Sequence, residues 1–224
     1  MNRRMHPPRV CHAIVAILLV AVSLGSGCRS TYYNAWEKLG KHKRDLLRDR
    51  VDAGREDQRE AEEQFQTTYE RFKELSGYDG GDIEPAYQKL NREYEACEKR
   101  AKEVRERIDS IEQVASDLFE EWEEEIDLIQ NAALRRDSQS KLRATQKRYG
   151  QLIQSMQSAE TKMEPVLVAF RDQVLYLKHN LNAQAIAALE GTTVEIQRDI
   201  DLLIRDLRTS IREADRFLET LEQT

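Results

Sequence analysis

Turn-forming residues are scarce in this chain: four prolines and nine glycines in 224 residues. Cysteine is scarcer still, at three. Too few cysteines rules out a disulfide-stapled scaffold. So few glycines and prolines argue against a sheet of many short strands joined by tight turns. Aromatic residues make up 7% of the chain and hydrophobic residues 40%, against 34% charged. That balance does not fill a thick globular core; it suits long amphipathic helices. The longest mostly apolar stretch, residues 13–24, spans twelve residues and includes Ser23. A membrane-crossing helix needs about 20.

The short apolar run has a different use. Residues 1–12 carry Arg3, Arg4 and Arg9 with no acid, and Gly25, Ser26 and Gly27 follow the run. A basic segment, an apolar segment and a small-residue cleavage site read as a secretory signal peptide over residues 1–27. The small residues end at Cys28 and resemble a bacterial lipobox, with Leu24 one place further from the cysteine than usual. The resemblance implies that Cys28 is diacylated and becomes the first residue of the mature protein. Residues 28–34 are then a lipidated N-terminus and short linker. Arg29 stands where many inner-membrane lipoproteins carry aspartate, so the periplasmic side of the outer membrane is the expected destination. Cys11 leaves with the signal, and only Cys97 remains as a thiol, expected to pack as a small hydrophobe.

Removing the signal leaves 32 basic and 41 acidic side chains, a net charge of −9. Nucleic acid is not an expected partner, because no strongly basic face is available. From Ile83 to Trp122 the apolar positions alternate spacings of four and three through Leu90, Tyr94, Cys97 and Ile108. This is the 3.5-residue repeat of a coiled coil. A weaker seam of the same kind runs from Val51 to Leu75. Between them lies Ser76–Asp82, SGYDGGD, whose three glycines predict a turn. Folding there pairs residues whose numbers sum to about 159, so that Phe72 meets Tyr87, Phe65 meets Tyr94 and Trp36 meets Trp122. The basic stretch 38–50 then lies beside the acidic stretch 119–127.

Gly191, followed by Thr192-Thr193-Val194-Glu195, reads as a helix stop and a new capping box. A second hairpin centred there pairs Ile186 with Ile196 and Leu177 with Leu203. Residues 131–143 lose the phase of the seam without a glycine or proline. Either the chain turns near residues 136–140, giving four antiparallel segments with Pro165 kinking the third, or a longer helix two runs on and ends at Pro165. The predicted fold is all-α, without β-sheet: one elongated antiparallel coiled-coil bundle of three to four long helices over residues 35–224.

Sites of chemistry are not evident. His42 and His179 stand apart from one another and from cysteine, so no zinc spacing exists. No glycine-rich loop follows a strand, and neither a metal nor a cofactor is expected, nor an enzymatic activity. Lys178-His179-Asn180-Leu181-Asn182 reads as polar flanks of seam residues. Residues 134–148 hold six basic residues and one acid. Arg135, Arg136, Lys141 and Arg143 are therefore candidates for contact with anionic headgroups, expected to lie unopposed by the acidic run.

Three stretches, YYNAWEKLGKHKRDLLRDRV, LRRDSQSKLRATQKRYGQLI and EPVLVAFRDQVLYLKHNLNAQAIAAL, resemble the bacterial family DUF2959, exported helical proteins of unknown function. The resemblance implies export and an all-helical rod, and carries no functional residues. The functional expectation is a lipid-anchored periplasmic scaffold or spacer of the cell envelope. Two alternatives stand beside it: a BAR-like membrane-shaping module, and a helical subunit of an envelope transport or secretion complex. Expected partners are the membrane through the acyl anchor, and a helical protein or a second copy of the chain.

Overall fold

The structure, a computed structural model, describes residues 42–77 and 83–222. The chain divides into two compact units, Met1–Asp45 and Leu46–Thr224. Four helices run through the described residues: α1 Lys43–Ser76, α2 Glu84–Leu128, α3 Ala132–His179 and α4 Ala183–Glu222. At about 1.5 Å per residue they are roughly 50–70 Å long. Among the described residues there is no strand.

The predicted seams are the buried faces. All eight seam positions of α1, from Val51 through Gly54, Gln58 and Phe65 to Leu75, are buried. In α2 the seam is buried from Leu90 to Leu118. Cross-helix contacts fix the register. Arg107 of α2 pairs with Asp57 of α1 at 2.7 Å, and Gln64 donates to Glu93 at 2.8 Å. Thr68 Oγ1 lies 3.0 Å from Cys97 Sγ. The paired numbers sum to between 157 and 165, bracketing the expected 159. The partner of Trp122 is Ser138, whose hydroxyl accepts from the indole N–H at 2.9 Å. Trp36 lies outside the described residues.

The remaining helices complete an up-down-up-down bundle. Arg105 donates to Glu160, and Gln157 to Glu112, joining α2 to α3. Arg55 pairs with Asp215 at 2.8 Å and Arg208 with Glu62 at 2.7 Å, joining α1 to α4. Tyr149 of α3 packs edge-on against Phe119 of α2 and tilted against Phe217 of α4, with ring centroids 5.4 and 6.2 Å away. The diagonal is closed by Phe72 and Phe170, 6.4 Å apart, so Phe72 finds its ring partner across the core on α3. Burial outweighs the ion pairs energetically. A fully buried Phe or Leu contributes about 1.5–3 kcal/mol, whereas surface ion pairs such as Arg208–Glu62 contribute about 0–1 kcal/mol.

Two expected turns fall elsewhere. The α2–α3 turn is at Ile129–Asn131, not at residues 136–140, which lie inside α3. Asn131 caps α3: its side-chain oxygen accepts from the backbone N–H of Ala133 at 2.9 Å and of Leu134 at 3.2 Å. Pro165 is interior to α3, where the four-segment reading places it. The α3–α4 turn is at Asn180–Asn182, and Gly191 lies within α4. Asn180 donates from its side chain to Tyr176 O at 2.8 Å, and Asn182 Oδ1 accepts from Ala185 N at 3.0 Å. The expected pairing of Ile186 with Ile196 is therefore overturned, since both residues are on one helix. The Thr192 and Thr193 hydroxyls, expected to open a capping box, donate back to Leu189 O, as threonines inside a helix do.

Candidate functional site

The four basic residues singled out from sequence lie on the first three turns of α3 and differ in setting. Arg135 is half-buried, and its guanidinium holds the preceding turn, donating to Ile129 O at 2.8 and 2.5 Å. Arg136 is exposed and donates to Ala132 O at 3.1 Å. Lys141 is exposed and pairs with Asp137 at 3.2 Å. Arg143 is exposed. The hairpin register brings the acidic run of α2 alongside them: Gln146 of α3 donates to Glu123 of α2 at 3.1 Å. The expectation that this basic stretch stands unopposed is thus corrected. Its cause is the early turn at Asn131, which folds residues 134–148 back along residues 119–127.

The apex of that hairpin is a feature that sequence reasoning missed. Leu128 and Leu134 are 76% and 61% exposed, one on each side of the three-residue turn. Residues 128–134, LIQNAAL, carry no charge. The signal was present in the sequence as an apolar stretch out of phase with the seam. No glycine or proline marks it as a tip.

Elsewhere the polar groups are structural. Cys97 is fully buried, and burial pushes its thiol up to about 12, opposed by the hydrogen bond with Thr68. It remains a neutral thiol at ordinary pH, which suits packing and not nucleophilic attack. Burial likewise raises Tyr94, whose hydroxyl donates to Glu98, and Tyr149. His179 is exposed in the last turn of α3, where a basic group complements the helix dipole. A polar groove of about 510 Å³ lies between α3 and α4, with Ser155, Ser158 and Thr209 along it and Arg148 and Arg216 at one end. Among the described residues no cluster of His, Cys, Asp and Glu is arranged to hold a metal ion. Nor is any described helix long and apolar enough to cross a membrane. Cys28 lies outside the described residues.

Among the described residues, fold and surface together define an all-α bundle of four antiparallel helices. The family comparison goes one step further: residues 32–221 match the family described as protein of unknown function (DUF2959), and the chain belongs to it. No curated protein matches the chain. No solved structure matches it either.

Proposed function

We propose that the protein is a lipid-anchored, non-enzymatic scaffold or spacer on the periplasmic side of the outer membrane. The observation that carries the reading is the polarity of the bundle. The antiparallel register brings Leu46, the start of the bundle, to the same end as the α2–α3 turn. The polypeptide upstream of Leu46 leads back to Cys28, so an acyl group there joins the helices through the start of α1. The signal-like segment, the small residues before Cys28 and the solvated ion-paired faces of the helices support the same reading. The BAR-like alternative asks for a basic face, and the acidic run beside Arg136, Lys141 and Arg143 favours the scaffold over it.

The test compares wild type with Cys28→Ala. The expected result is a mature wild-type protein whose first residue carries diacylglycerol by mass spectrometry and which sediments with membranes. The variant should be released from membranes or keep its signal uncut. A variant that is processed normally and stays on the membrane would sink the proposal.

A further inference from the structure

The tether is not the sole contact that the geometry provides. We infer that the apex of the α2–α3 hairpin is a second membrane-contacting element, seated in the interfacial region of the bilayer that holds the acyl chain. This inference rests on the anchoring proposed at Cys28.

Three observations carry it. The first is chemistry: Leu128–Leu134 is seven consecutive residues without charge, and its two leucines present most of their surface to solvent. Isolated exposed leucines are ordinary on protein surfaces, but two flanking one turn form a local apolar tip. The second is rigidity. Asn131 caps α3 through two backbone N–H groups, and the Arg135 guanidinium clasps Ile129 O, so the leucines are presented by a fixed turn. Little ordering cost then opposes insertion.

The third observation is direction, and it selects the occupant. The α1–α2 register sets Leu46 level with residues near Ala115, and Leu128 lies thirteen residues further along α2. At about 1.5 Å per residue the apex reaches roughly 20 Å beyond Leu46. α1 begins at Lys43, fifteen positions after Cys28. Fully extended, that segment spans at most about 54 Å, at roughly 3.3–3.6 Å per residue. The apex therefore projects from the end of the bundle at which α1 begins, by less than the reach of the segment that leads back to Cys28. Arg136, exposed just behind the leucines, is long enough to meet a headgroup while they enter the acyl boundary. The neighbouring Asp127 and Glu123–Glu125 are exposed too, so insertion is apolar in origin and does not depend on anionic lipid.

Val194 makes the control, because it is 77% exposed yet lies well towards the other end of the bundle. The processed full-length protein is reconstituted in phosphatidylethanolamine–phosphatidylglycerol vesicles, with Leu134→Cys or Val194→Cys carrying a polarity-sensitive fluorophore. Cys97 is buried and does not compete for label. The expected result is a blue shift for the Leu134→Cys probe, and severalfold stronger quenching by brominated acyl chains than for the Val194→Cys probe, at low and high salt alike. Equal, solvent-like emission from both probes on protein that floats with the vesicles would overturn the inference while leaving the anchor intact. A probe at Leu134→Cys shielded from water yet unquenched by brominated lipid would report a protein or a second copy at the apex, and overturn it too. Protein that fails to float removes the anchoring reading, and this inference falls with it.

Discussion

The two hairpins of this bundle are built on similar heptads and close in opposite ways. The first, α1–α2, breaks at the glycine-rich segment after Ser76, and its helices pack in the register that its apolar spacing dictates. The second, α3–α4, closes through Asn180-Leu181-Asn182 with no glycine at all, while the one glycine nearby, Gly191, is carried inside α4. The α2–α3 connection is of the second kind, three residues ending in Asn131. The contrast teaches that a lone glycine is a weak stop signal in a long amphipathic helix. Its cost there, about 1 kcal/mol, is small beside the burial gained by every further turn of seam. Asparagine is the stronger marker here, because its side chain satisfies N–H groups that a helix start leaves without partners.

The largest expected effect tests whether the two hairpins share one core. Phe72 and Phe170 are each about fully buried and meet across the diagonal. Phe72→Ala should cost about 3–5 kcal/mol, measured by urea unfolding. Adding Phe170→Ala should give a non-additive total, with a coupling of about 0.5–3 kcal/mol. Strict additivity would mean that the hairpins are independent, and the shared core would be wrong.

Next comes the other glycine. A Cβ built on Gly54 would lie 2.9 Å from Ile111 Cδ1 and 3.0 Å from Met156 Cε, so α1 approaches α2 and α3 closely there. Gly54→Val should cost about 1–3 kcal/mol through overpacking, visible as a lowered melting temperature. An unchanged melting temperature would show that the neighbouring side chains move aside freely.

How much of this was legible beforehand follows from the same contrast. The heptads of α1 and α2 were readable because Phe65, Cys97 and Ile108 recur at three and four without interruption, and burial follows that period. The break after Ser76 was readable because three glycines within seven residues leave little alternative. The second hairpin was not, because its seam is periodic on both sides of Gly191 and matching periods align in many registers. An error in the turn position displaced every pairing in that half without disturbing the list of buried residues. A separate displacement concerns the candidate surface: a turn at residues 136–140 makes Leu128 and Leu134 neither seam nor apex. The capping geometry of Asn131 and Asn182 corrects both at once.

A smaller effect tests that correction at the turn itself. Asn182→Ala removes the side-chain acceptor for Ala185 N, leaving the backbone carbonyl of residue 182, and should cost about 0.5–2 kcal/mol. Asn182→Asp, which keeps an acceptor, should recover most of the loss in the same melt. Equal losses in both variants would mean that the side chain matters for something other than its cap.

Gly191→Ala gives the smallest change and the sharpest decision, because the two ways of closing the second hairpin predict opposite signs. A glycine that ends a helix occupies the left-handed region, where an added Cβ is strained and alanine destabilises. Within α4 the backbone at residue 191 is helical, and nothing lies within 4 Å of where the Cβ would go. Alanine there meets no clash and stiffens the unfolded chain, so stability should rise by about 0.5–1 kcal/mol. In a thermal melt this is a modest upward shift. A downward shift would return the turn to Gly191, and with it the register that pairs Ile186 with Ile196.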